Sequence, residues 1–408
     1  MLNRRQLIQR LSSVPIVGGL LSGVPVANAI GAPKKEAPKR DLFKELGVRT
    51  FINAAGTLTY MTGSLMHDEV LEAINFGAKE FCLLDELQDK VGEKIAQMVH
   101  SEAAVVTSGA FSGMTLGLAG ILTGMDEKKV RALPHIEYTG MKSEVICQKG
   151  HDIVYNQALT NTGCKMVIVE TADDVAKAVN ERTALMHFLH INSDQGKIQH
   201  EEWVALGKKY NVPTSIDIAA DVPPVSNLWR FNDMGFDFVV ISGGKAIRGP
   251  QSAGLLMGKK SIIAAARLSM PPRGYNIGRG MKVNKEEILG MYVALERYIN
   301  QDHDKEWKEW ESKIALIENT VKSVPGVATE IHVPPLGNHT PTLHISWDLD
   351  KVKLTDKQLR EGLRLANPSI ELGGGPPNTV SVTVFMLKPG QEKIVAARLK
   401  EELSKGLS

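Results

Sequence analysis

The chain has 408 residues, 43% of them apolar and 23% charged, with few aromatic residues and a formal net charge of +2. Such a length exceeds one small core and fits two or three folded units. The basic residues are dispersed, so there is no electrostatic footprint for a nucleic-acid partner.

Residues 1–29 carry the paired Arg4 and Arg5, a modest apolar stretch broken by glycine and proline, and Ala27-Asn28-Ala29, which fits a small-residue cleavage site. In outline this is a twin-arginine export signal, which places the mature protein in the periplasm or otherwise outside the cytoplasm, with cytoplasmic residence as the alternative. The apolar run is short and glycine-rich for a membrane span, so no stable anchor is expected in the mature form. Residues 30–40, IGAPKKEAPKR, read as a flexible linker.

From 51 to 65 a segment rich in glycine and threonine reads as an ordered loop, and helical spacing follows it. Leu87, Val91, Ile95 and Met98 recur on one helical face. The period then changes: Ala103 to Val106 is a short apolar run, followed by Thr107-Ser108-Gly109-Ala110 and a helix of small residues. Strands are predicted at 144–147, 166–169, 184–191, 214–218 and 238–241, with helical stretches at 172–180 and 201–210 between them. This alternation implies an α/β fold with a mostly parallel sheet covered on both faces. A long helix over about 285–320 leads to a smaller α/β region with strands in TLHISWDL and TVSVTVFML and a last helix near 390–404. The expected organisation is a large domain over 41–310 and a small C-terminal domain over 311–408.

Cys82, Cys147 and Cys164 have no metal-binding spacing, and the apolar runs around Cys82 and Cys147 suggest buried thiols. No HExxH occurs, and His187 and His190 fall on opposite faces of a predicted strand, so no metal site is expected.

Three features carry chemistry. Ser108, Gly109 and Ala110 form a strand-to-helix turn whose small side chains leave backbone amides open to a phosphate, although the same residues also serve turn geometry alone. Asp217 ends a predicted strand, where open parallel sheets place their binding crevice; Asp221, before Pro223-Pro224, reads as a residue that shapes the turn. The apolar run 238–241 then leads into Ser242-Gly243-Gly244 and presents Lys245. A lysine in such a crevice becomes a nucleophile once burial or neighbouring charge destabilises its ammonium, and it forms Schiff bases with carbonyl compounds. Lysine, carboxylate and phosphate turn together call for a ligand with an aldehyde, a basic ring nitrogen and a phosphate. Pyridoxal 5'-phosphate has all three. Lys245 would hold it and act as general base, Asp217 would keep the ring nitrogen protonated, and Ser108, Gly109, Ala110 and Ser242 would secure the phosphate.

The motifs SGGKAIRGPQSAGLLMG, SIDIAADVPP, VVTSGAFSGMTLGLAGILTG, INAAGTLT and GRGMKVNKEEILG resemble those of pyridoxal-phosphate enzymes related to bacterial selenocysteine synthase, and more closely its D-glucosaminate-6-phosphate ammonia-lyase branch. The resemblance implies an aspartate-aminotransferase-like fold (fold type I), a homodimer or larger assembly, and a small amino substrate. It matches Lys245 to the Schiff-base lysine and Asp217 to the pyridine partner. It also nominates His151 as the residue stacking on the ring, Asn192 as a contact to the phenolic oxygen, and Arg279 as a contact to a substrate carboxylate or phosphate across the dimer. Cysteine desulfurases place glutamine three residues after the aspartate, where this chain has Ala220. Selenocysteine synthase has aspartate at the position of Gly244 and a basic N-terminal module that this chain replaces with an export signal, so a charged tRNA substrate is not expected. The expected activity is a lyase acting on a small amino acid or amino-sugar acid by Cα deprotonation, β-elimination and ammonia release. Transamination, racemisation, aldol cleavage and a non-catalytic exported binding protein are the alternatives.

Overall fold

The computed structural model describes residues 40–407; the expected export signal at 1–29 and nearly all of the linker at 30–40 lie outside the described residues. Contacts divide the chain between Arg49 and Thr50. In the first unit a single helical turn, Leu42–Glu45, begins at Asp41, whose side chain accepts from the Lys44 N–H.

The second unit contains twelve strands among the described residues: β1 (Ile52–Ala54), β2 (Ala103–Thr107), β3 (Glu144–Gln148), β4 (Lys165–Val169), β5 (Thr183–Leu189), β6 (Thr214–Asp217), β7 (Phe238–Ser242), β8 (Gly254–Gly258), β9 (Val327–His332), β10 (Thr342–Trp347), β11 (Ile370–Leu372) and β12 (Thr379–Thr383). Seven of them form one sheet in the order β2-β8-β7-β6-β5-β3-β4. Its strands pair in parallel from β7 to β4, whereas β8 lies antiparallel to both β7 and β2. Strands buried on both faces read as continuous apolar runs, and β5 is buried at every position. Phe188, Ile216 and Trp203 pack on one face, and Leu116, Phe238 and Val240 on the other.

Another core collects Trp310, Ile314, Leu343, Trp347 and Leu399 around the antiparallel sheet β12-β10-β9. Ile52 and Ala54 join this core, because β1 pairs in parallel with β11. The segment expected to be a loop of the large domain therefore supplies a strand to the C-terminal layer. The single long helix expected over 285–320 is two helices, Lys285–Asn300 and His303–Val321. Gln301 turns extended, and the Asp302 side chain caps the next helix by accepting from the Lys305 N–H. Cys147 and Cys164 are buried free thiols, whereas Cys82 is exposed, because it stands in the connection just before the helix Leu84–Met98. Among the described residues no helix is long and apolar enough to cross a membrane.

Candidate active site

Residues singled out in the sequence gather at the carboxyl ends of the strands. Thr107 of β2 and Ser242 of β7 both face Gly254 of β8 in register, so the three strand ends form one row. The helix Gly109–Thr123 starts at that row, and its N-cap, Ser108, makes no side-chain capping bond to it. The Ser108 hydroxyl donates instead to Ser112 Oγ at 3.0 Å. First-turn amides thus keep their donors for an anion. Gly254 makes this closeness possible: a Cβ there would sit 2.6 Å from Gly109 C and 2.8 Å from Ala110 N. Ser108, Gly109, Ala110 and Ser242 are in this way brought to one corner.

Lys245 follows β7 in a loop that closes on itself. Gly243 N–H donates to Ala253 O at 2.8 Å, Gly249 N–H to Gly243 O at 2.9 Å, and Arg248 N–H to Lys245 O at 2.9 Å. Ser64 N–H donates to Gly244 O at 3.1 Å, pinning the loop from a distant part of the chain. Gly244 is required because a Cβ would stand 2.5 Å from Gln251 Cα. The two glycines therefore let neighbouring backbone close around a lysine that an ordinary turn would leave in water. Burial pushes the Lys245 amine below the usual lysine range, against the opposing pull of Asp217 and Asp221. Its Nζ makes no hydrogen bond or ion pair among the described residues.

Asp217 ends β6 beside β7, and its Oδ1 accepts from the Ala219 N–H at 2.7 Å. Only 5% of the residue is exposed. Burial raises its carboxyl pKa, while the Ala219 N–H and Lys245 pull it down. Asp217 and Lys245 feel each other's charge without forming a salt bridge, the relation expected of two groups that address opposite ends of a flat ring. These residues fit pyridoxal phosphate: an amine for the aldehyde, a buried carboxylate for the ring nitrogen, and a helix start for the phosphate.

Three nominated residues make contacts of their own. His151 has no exposed surface. Its ring lies edge-on to Phe188 at 4.4 Å, and its Nδ1 accepts from the Leu189 N–H. Its Nε2 is buried without a hydrogen-bond partner. Asn192 donates through Nδ2 to Gly150 O at 2.8 Å, strapping the turn after β3 to the turn after β5. Arg279 is exposed in the loop before the helix at 285, where its own N–H donates to Asn276 O. Asp221 shapes the turn after β6, as expected, and is in addition a buried acid within the field of the same lysine. Its signal was a second aspartate four positions after the strand-ending one.

Two clefts flank this region. One of about 410 Å³, lined by His67, Arg248, Arg297, Glu306 and Phe385 among others, opens beside the lysine loop. Another of about 530 Å³ lies at the opposite ends of the strands, by Lys142, Asn211 and Lys259. A third, of about 230 Å³ by Gln148, Gly150 and Gln195, lies at the carboxyl ends of β3 and β4; parallel sheets bind at their carboxyl ends, and of the three clefts the first lies beside the lysine loop.

Residues 83–275 match the aminotransferase class-V family model. The chain is 26% identical over 383 residues to D-glucosaminate-6-phosphate ammonia lyase of Salmonella typhimurium, covering 88% of this chain and 97% of that protein. It is 27% identical to the 5'-C-glycyluridine monooxygenase-decarboxylase of a Streptomyces species, covering 88% and 92%. It is also 26% identical to the L-seryl-tRNA(Sec) selenium transferase of Aquifex aeolicus, covering 48% and 49%. Among solved structures, D-glucosaminate-6-phosphate ammonia-lyase superposes with a TM-score of 0.79 at 24% identity over 90% of this chain and all of that one. A serine palmitoyltransferase with pyridoxal phosphate as its internal aldimine superposes at 0.54 with 14% identity, over 86% and 87%. The fold is that of fold type I pyridoxal-phosphate enzymes, as the motifs imply.

Proposed function

We propose that this protein is a pyridoxal-phosphate-dependent lyase acting on a small amino acid or amino-sugar acid, by Cα deprotonation, β-elimination and release of ammonia. The observation that carries the reading is the loop 243–249, which holds Lys245 half-buried within the field of the buried Asp217. When bound, the cofactor supplies the electron sink for the charge left at Cα. The remaining work belongs to the chain. The helix start at Gly109 and the Ser242 hydroxyl hold a phosphate. Asp217 holds a proton on a ring nitrogen. Burial keeps the Lys245 amine ready to be neutral, the form that accepts a proton from carbon. The similarity to an ammonia lyase along nearly the whole chain supports elimination over transamination. Purified protein is expected to show the visible band of a lysine-linked cofactor, lost in Lys245→Ala. Candidate amino acids and amino-sugar acids are expected to yield ammonia and a keto acid with no keto-acid acceptor present. Turnover that needs such an acceptor would make the protein a transaminase instead.

We further propose export through the twin-arginine route and assembly into a homo-oligomer. Arg4, Arg5 and Ala27-Asn28-Ala29 support export, and cell fractionation with Arg4→Lys and Arg5→Lys together tests it. Phe76, Phe81 and Leu83 stand exposed within a few residues of one another, an apolar segment that a second copy would cover. Arg279 would then serve a site shared between copies.

A further inference from the structure

Asp221 lies in the turn after β6, only 2% exposed, with its Oδ1 buried and without a hydrogen-bond partner. A buried polar atom left unpaired costs stability, so its presence at a cofactor crevice points to use. The turn holds the residue firmly: Asp221 N–H donates to Ile218 O at 3.1 Å, and Asn227 Nδ2 donates to Asp221 O at 2.7 Å. The segment around Gly337 covers it from the C-terminal layer, with Asn338 N–H donating to Ala220 O at 2.7 Å. The charged groups that act on its carboxyl are Asp217 from the end of β6 and Lys245 from the loop after β7; the covering segment presents the Gly337 N–H.

We propose that Asp221 acts through Lys245 as a positioning residue, its buried carboxyl supplying the negative charge that favours the protonated form of the lysine nitrogen. The inference rests on the function proposed above. Asp217 is committed to the ring nitrogen, so Asp221 is the acid left to answer the lysine. Burial and the adjacent Asp217 raise its pKa to about 7, so its charge switches near neutrality. One proton is at stake: with it on the carboxyl, the lysine loses its counter-charge and becomes the neutral base; with it on the amine, the carboxylate is ionised opposite.

The test is a spectroscopic titration of the loaded full-length protein from about pH 5 to pH 9, following the visible band of the lysine-linked cofactor. Asp221→Asn is expected to lower the midpoint by about one pH unit or more, because an opposite charge within reach of a base shifts it by that amount. Asp221→Glu is expected to restore it toward the parent value. An unmoved midpoint in Asp221→Asn overturns the inference while leaving the proposed function intact; a parent chain whose band survives Lys245→Ala overturns the function instead. A second readout needs no variant to fold. In the unsubstituted full-length chain stripped of cofactor, the acylation rate of Lys245, read by mass spectrometry, should rise with pH, flatten near about 7 as Asp221 ionises and adds its counter-charge, and rise again above it. A plain one-group titration curve without that flattening overturns the inference.

Discussion

Asp217 and His151 show how the same burial serves two ends. The Ala219 N–H occupies one oxygen of Asp217, and the proposed function uses the other for a ring nitrogen. Asp217→Ala is expected to cost roughly 10²-fold or more in kcat, the scale set by removal of one preorganised electrostatic partner; steady-state kinetics at saturating cofactor checks it. His151, edge-on to Phe188, belongs to the core. Its replacement by alanine should cost about 2–4 kcal/mol in urea unfolding, as for other large buried side chains, and leave the cofactor band in place. A shifted band would return His151 to the ring. His190 gives a pH signature. It is buried against His200, with 2.8 Å between Nδ1 and Nε2, and burial depresses its pKa to about 3. A base depressed on folding contributes stability that is present above its unfolded pKa and lost as pH falls toward the folded one. Between pH 7 and pH 5 this costs about 2 kcal/mol. Asp221, an acid raised on folding, acts in the opposite direction over the same window, losing stability as pH rises toward about 7. His190→Asn should therefore make Tm fall less steeply than the parent on acidification, and a parallel pair of Tm curves would contradict this. Legibility at this scale was uneven. Lys245 and Asp217 announce themselves because strand ends and glycines bracket them in sequence, whereas the core position of His151 depends on Phe188, which no local pattern links to it.

Among elements, the row Thr107, Gly254 and Ser242 matters most, since three strand ends and one helix start must converge for a phosphate to be held. Gly254→Val would drive a side chain into Gly109 and Ala110. The expected result is a loss of about 1–3 kcal/mol from overpacking, together with faster dissociation of cofactor, measured by the decay of its visible band after dilution. The parallel strands were legible because β5 and β7 run as apolar stretches between helical periods. β8 was not singled out, since Gly254–Gly258 follows the lysine loop without a helix and reads as its continuation. The division of the long helix at Gln301 was written in the chain, where residues 300–306 carry no apolar side chain and Asp302 caps the restart, but the helix formers on either side read as one run.

Across the whole molecule, β1 ties the beginning of the second unit to its end. Ile52 is 5% exposed and pairs with Ile370. A chain beginning at residue 56 would uncover that edge and lose burial on the order of 2–3 kcal/mol for the isoleucine alone; a lower Tm against a chain beginning at residue 50 checks it. Assembly is tested at the same scale. Phe81→Asp is expected to shift the protein toward monomer in sedimentation, and full retention of the oligomer would show that this segment is not the contact.

Composition, period and the glycine-flanked lysine determined the α/β class, the sheet of parallel strands and the cofactor, and nominated Lys245 and Asp217, because each is written in residues close along the chain. Tertiary structure decided what depends on segments far apart meeting: β1 beside β11, His151 packed edge-on to Phe188, and the burial of the turn residue Asp221 beneath the segment around Gly337. Burial is set by whatever packs on top, and what packs on Asp221 arrives more than a hundred residues later in the chain.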